Sequence, residues 1–128
     1  MDVLEAINQR RSIRKYEEKA VEKEKLLTSL EAVRLAPSAM NRQPYTLIVI
    51  SHPEAINQLS SVCNQPWEAP LIIAICAFPK DAWVRADGEE YWKADAAVAM
   101  TNLSLAAWAE GLGTCWIAAF KEEAVKKN

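Results

Sequence analysis

The sequence predicts an α+β fold, a small central β-sheet flanked by helices, and three observations carry that expectation. Tyr45 to Ile50, Leu71 to Phe78 and Cys115 to Phe120 are short apolar runs rich in branched and aromatic residues, the composition of strands. Other segments repeat apolar residues at the three-to-four spacing of a helix. The longest of these, Glu89 to Glu110, carries so many alanines and so little polar surface after Asp95 that a central, interface-forming helix is expected. A chain of 128 residues has room for one core, so a single domain over residues 1–128 is expected.

Taken in order, Asp2 and Glu5 have the spacing of a capping box, and Val3, Leu4 and Ile7 share one face of a helix over residues 2–10. After the charged stretch Lys15 to Lys25, Leu26, Leu27, Leu30, Val33 and Ala36 fall at helical spacing, and Pro37 fixes the end. A loop runs to Pro44. The first two apolar runs follow as buried strands, joined by a short helix from Glu54 to Ser61 that Pro53 starts and by a loop from Asn64 to Pro70. Gly111-Leu112-Gly113 ends the long helix, and Cys115 to Phe120 is the third strand.

Composition excludes several classes of function. With 51% apolar and 25% charged residues the chain is an ordinary globular protein and not a disordered one, and a net charge of −2 argues against nucleic acid as partner. Asp95, Thr101, Asn102 and Ser104 break the most apolar helix below the length of a membrane span. Asp2 and Glu5 leave no room for a targeting segment at the start, so a cytoplasmic location is expected. Cys63, Cys76 and Cys115 are odd in number and widely spaced, so they form neither a disulfide framework nor a zinc site and read as buried thiols. His52 reads as a turn residue at a strand end.

Three loops concentrate the remaining polar chemistry. Arg10-Arg11-Ser12-Ile13-Arg14 places three guanidinium groups and a hydroxyl in one turn, a donor set that suits a phosphate; a solvated helix end would use the same residues to complement a helix dipole. Pro37-Ser38-Ala39-Met40-Asn41-Arg42-Gln43-Pro44 offers two amides, a hydroxyl and a guanidinium between prolines, suited to the mixed edge of a heteroaromatic ring or to a plain polar turn. Gly111 and Gly113 permit either a helix-ending turn or close backbone approach to a flat ligand.

These blocks, in this order, together with Asp95-Ala96-Ala97 and Thr114-Cys115-Trp116-Ile117, resemble the FMN-dependent nitroreductase family almost from end to end. The resemblance implies a nitroreductase-like fold and a homodimer with two FMN sites at the subunit interface. It implies that Arg10 and Ser12 contact the phosphate and ribityl region, that Arg11 helps through main chain or charge, and that Arg14 reaches the pyrimidine edge, where a fixed cation favours two-electron reduction. It further implies that Pro37, Ser38, Ala39, Asn41 and Gln43 cover the flavin of the partner subunit, that Gly111, Leu112 and Gly113 face N5 and O4, and that Asn64 and Gln65 lie near a less regular contact.

The implied activity is hydride transfer from NADH or NADPH through flavin N5 to a nitroaromatic, a quinone or a similar acceptor, by a ping-pong mechanism. No side chain serves as nucleophile, and no metal is involved. Trp67, Trp83, Tyr91 and Trp92 are candidate walls for an aromatic substrate or parts of the core. The alternatives are a related enzyme on the same FMN scaffold, such as a reductive dehalogenase or a flavin-consuming enzyme, and a non-catalytic flavin-binding module. Family members continue past the position matching Asn128 into a further strand and a C-terminal arm, so the resemblance makes this chain either a fragment or a very short member. Met40 also departs from the small residue common at that point of the family loop.

Overall fold

The computed structural model describes residues 1–63 and 68–127. Helix α1 (Val3–Gln9) begins with the capping box: the Asp2 carboxylate accepts the Glu5 N–H at 2.9 Å, and the Glu5 carboxylate accepts the Asp2 N–H at 3.1 Å. Helix α2 (Lys23–Arg34) stops at Leu35, just ahead of Pro37, as a proline at that distance dictates. Strand β1 (Tyr45–Ile50) leads into α3 (Pro53–Ser60), where Pro53 occupies the first turn and its missing N–H costs nothing. Strand β2 (Ile72–Ala77), the long helix α4 (Trp92–Ala109) and a short α5 (Glu122–Lys126) complete the elements, with 3₁₀ turns at Ala39–Asn41 and Pro79–Asp81.

The two strands pair antiparallel, Tyr45 opposite Ala77 and Ile50 opposite Ile72. Leu47, Ile73 and Ile75 project from this ribbon onto a core of Val33, Ala36, Ala99 and Leu103. Helix α4 lies chiefly against α2, and Asn102 Nδ2 of α4 donates to the Ala32 carbonyl of α2 at 3.3 Å. Ala99, Ser104 and Ala107 are all buried on α4, and side chains this small allow neighbouring backbones to approach closely. Among the described residues no helix is long and apolar enough to cross a membrane.

Four expectations are corrected. Helix α4 starts at Trp92 and not Glu89, because Val84 and Glu90 form an antiparallel bridge closed by a turn in which Gly88 takes φ +91°. Cys115 to Phe120 forms no strand. Its neighbours Ser12 and Cys63 each supply a single bridge, to Thr114 and to Phe120, and no described strand lies alongside to extend either into a ladder. Strand β1 is not buried on both faces: Thr46 and Ile48 are exposed, since no described element lies across the outer side of the ribbon. The three cysteines are free but only half-buried, and burial pushes the Cys63 thiol up from its ordinary pKa.

Truncating Leu103 to Ala should lower unfolding free energy by about 2–5 kcal/mol, whereas Ile48→Ser on the open face should stay within about 0.5 kcal/mol of the parent in the isolated chain. Urea denaturation of the two variants checks both values, and comparable losses would mean that the outer face of β1 is covered in solution.

Candidate functional site

The Arg10–Arg14 turn begins where α1 ends, and its first two arginines differ in what they do. Arg11 folds back so that its Nη1 donates to the carbonyls of Asn8 and Arg10, both at 2.8 Å, which satisfies orphan acceptors at the end of α1. Arg10, by contrast, lines a cleft of about 290 Å³ together with Ser12, Thr114 and Cys115. Thr101 and Ser104, three residues apart on α4, form the same wall, with Trp116 at its margin. Their hydroxyls donate to the α4 carbonyls of Ala97 and Thr101, leaving lone pairs as acceptors. The cleft therefore pairs a cation with a set of hydroxyl groups.

Ser12 and Thr114 join the arginine turn to the end of α4 in a parallel bridge, with the Ile13 N–H donating to the Thr114 carbonyl at 2.9 Å. That contact explains Gly113. A Cβ there would sit 2.6 Å from Ile13 Cγ1 and 2.8 Å from Ile13 Cβ, so only a hydrogen fits between the two segments. Gly111 has the other use, taking φ +82° in a Schellman turn: its N–H donates to Trp108 O and that of Leu112 to Ala107 O. Those two N–H groups are thereby spent on the helix, whereas Gly113 N–H enters no helix or turn bond among the described residues. Arg14 lies just beyond Ile13 and beside Tyr16; burial and Cys115 push the Tyr16 phenol pKa up, and the Arg14 charge pulls against them.

The Pro37–Pro44 loop is placed elsewhere. Ala39 donates its N–H to Asp95 Oδ1 at 2.9 Å in the first turns of α4, and Pro37, Ser38 and Ala39 face Tyr91, Ala94 and Val98 across an open, mainly apolar groove of about 290 Å³. Asp95 and Ser104 are separated by about 14 Å along the helix, at 1.5 Å per residue, so one protomer does not bring the loop and the arginine cleft together. Within the loop Ser38 Oγ accepts the Gln43 N–H at 3.0 Å, and Gln43 Nε2 donates to the Arg34 carbonyl at 3.3 Å. Met40, Asn41 and Gln43 take φ values of 55°, 52° and 50°, each costing about 1 kcal/mol outside glycine. Asn41 is exposed, as is Met40, and neither is bonded through its side chain within the chain's described residues.

Trp83 and Tyr91 stack edge to face at 4.9 Å beside this groove, and Arg85 both donates to the Tyr91 hydroxyl and pairs with Asp87. Asn64, Gln65 and Trp67, named from the sequence, lie outside the described residues. Thr101, Ser104 and Asp95 were not singled out as site residues. The available signal was their polarity on an apolar helix, with Thr101 and Ser104 at i, i+3 on one face. No group of three or more potential metal ligands occurs among the described residues.

The sequence profile of the nitroreductase family matches residues 7–68 and 63–128. The chain belongs to the nitroreductase family. This family member is 34% identical over 128 residues to a protein of Methanothermobacter thermautotrophicus whose name couples NADH dehydrogenase with NAD(P)H nitroreductase, an alignment covering 96% of this chain and 64% of the relative. It is 30% identical to an FMN reductase [NAD(P)H] of Bacillus subtilis, over 94% of this chain and 55% of that one. A crystal structure of a nitroreductase family protein from Clostridium difficile superimposes with a TM-score of 0.94 at 35% identity, covering 99% of this chain and 74% of the other. The chain thus spans less than two thirds of the length of the two curated relatives.

Replacing Gly113 by Ala should destabilise the protein by about 1–3 kcal/mol through the clash with Ile13. Adding Ile13→Ala should recover a measurable part of that loss in thermal denaturation. A double variant no more stable than Gly113→Ala would place the strain elsewhere.

Proposed function

We propose that the chain is an FMN-dependent NAD(P)H oxidoreductase acting as a cytoplasmic homodimer, with residues 1–128 forming one domain. The observation that carries this reading is the cleft that sets Arg10 beside the hydroxyls of Ser12, Thr101, Ser104 and Thr114. A guanidinium suits a phosphate, and a row of hydroxyls suits the polyol of a ribityl chain, so the donor set fits FMN. The relative from Bacillus subtilis is named an FMN reductase, and a related solved structure from Desulfovibrio desulfuricans, 32% identical with a TM-score of 0.78, is described as a complex with FMN.

When bound, FMN supplies the redox chemistry, hydride taken from NADH or NADPH at N5 and passed in a second half-reaction to an acceptor such as a nitroaromatic or a quinone. The protein's part is binding and placement. Arg10 and Ser12 hold the phosphate end, Arg11 fixes the end of α1 so that Arg10 points into the cleft, and Arg14 provides positive charge at the pyrimidine edge. Gly113 N–H is the donor of the Gly111-Leu112-Gly113 segment directed at the N5 and O4 side. Pro37, Ser38, Ala39, Asn41 and Gln43 of the second subunit close over the ring, and Gln65 stands as a further contact.

Two features support a site shared between subunits. Each groove, at about 290 Å³, lies just under the roughly 300–1,000 Å³ of ordinary ligand pockets, and a site assembled from both would fall inside that range. Val3, Leu4 and Ile7 of α1 are 65%, 67% and 55% exposed in the isolated protomer, an apolar face that a second copy would cover.

The purified protein should take up FMN, turn yellow and sediment as a dimer. Anaerobic NADH or NADPH should bleach the visible flavin band, and a quinone or nitroaromatic should restore it. Protein that stays colourless after incubation with excess FMN sinks the cofactor assignment, and bound flavin that neither nicotinamide reduces makes the chain a binding module. Arg10→Ala should weaken FMN binding by about 10- to 100-fold, the worth of a lost charge-assisted hydrogen bond, and by more than any single change in the Asn41 loop, measured by fluorescence titration.

A further inference from the structure

Two buried side-chain atoms lack a hydrogen-bond partner among the described residues, Asp95 Oδ2 and Tyr45 Oη. They are complementary in type, because a carboxylate oxygen only accepts and a phenol can donate. They are also close enough to interact: after burial itself, the Asp95 charge is the second influence holding the Tyr45 phenol above its ordinary pKa. Leaving both groups unpaired in the interior costs more than joining them. Asp95 is 3% exposed, and its other oxygen already accepts the Ala39 N–H. Ala39 and Tyr45 bracket the stretch in which Met40, Asn41 and Gln43 are held at positive φ.

We propose that Asp95 is the positioning residue of the Ser38–Gln43 loop, its Oδ1 holding the start of the loop through Ala39 and its Oδ2 taking the Tyr45 hydroxyl at the end. One carboxylate on α4 then staples both ends of a strained loop to the helix that also walls the arginine cleft. A loop held this way keeps its unfavourable backbone before any ligand arrives, which lowers the ordering cost of binding. Its consequence for flavin rests on the oxidoreductase reading above, whereas the staple itself does not.

Arg42 lies in the exposed part of the loop and gives a site-resolved readout, since trypsin cleaves after it only when the loop opens. In the flavin-free protein, Asp95→Ala should raise cleavage after Arg42 by about tenfold relative to cleavage after Lys19, and Tyr45→Phe by a smaller, several-fold factor. The double variant should be cut no faster than Asp95→Ala, because both changes break one unit. Wild-type cleavage of Tyr45→Phe overturns the Oδ2 arm. Equal acceleration at Arg42 and Lys19 in Asp95→Ala overturns the positioning role in favour of general destabilisation. Should Asp95→Ala fail to fold by circular dichroism, Tyr45→Phe carries the comparison, with Asp95→Asn, which keeps an acceptor for Ala39 and an amide donor for the Tyr45 oxygen, expected to be cut at the wild-type rate. With FMN, the Kd of Asp95→Ala should rise about tenfold; equal affinity in variant and wild type overturns the positioning role for flavin, and a wild type that binds no FMN removes the oxidoreductase reading while the proteolysis still decides the staple.

Discussion

Close packing of α4 against α2 and the β-ribbon is the constraint on which the other features depend. Ala99 and Leu103 meet Val33 and Ala36, and the small side chains of Ser104 and Ala107 bring the helix near its neighbours. Because α4 is fixed, whatever attaches to it is fixed as well. Its first turns carry Asp95 and through it the Pro37–Pro44 loop; its later turns present Thr101 and Ser104; and its Schellman end delivers Gly113 and Thr114 to the arginine turn. A single rigid rod thus sets the spacing of two clefts. Nine residues of helix keep those clefts about 14 Å apart within one protomer.

The arginine turn illustrates how one short sequence divides its labour. Arg11 is tied to the carbonyls of Asn8 and Arg10, as a solvated helix end would have it, while Arg10 lines the cleft, as a phosphate grip would have it. One guanidinium is thus committed to the helix end while its neighbour faces open space. Glycine usage divides similarly. Gly111 is required by a backbone conformation, and Gly113 by the space that Ile13 occupies.

Much of this was legible in the residues. Local signals with short-range causes transferred well: the Asp2–Glu5 capping box, the stop before Pro37, the start at Pro53, and the glycine end of α4 all depend on neighbours within a turn. Cys115 to Phe120 did not, because strand composition becomes a strand only where a partner offers a ladder, and that information is not local. The start of α4 was missed for a related reason, since the Val84–Glu90 bridge competes for residues that helical spacing alone would accept. In the site, charged and glycine-rich positions were visible in sequence, whereas Asp95, Thr101 and Ser104 became meaningful only once α4 placed them against other segments.

The β-ribbon carries a consequence of a different kind. Among the described residues the two antiparallel strands have no third strand on either edge, and on β1 Ile48 and Val49 are 50% and 38% exposed. Such an edge is a template for any extended chain that meets it, including another molecule of the same protein during synthesis or at high concentration. Colloidal behaviour, and not melting temperature, is therefore the property most sensitive to what lies across this ribbon. Expression yield and the concentration at which samples cloud would respond to charge placed at positions 46 and 48 well before stability did.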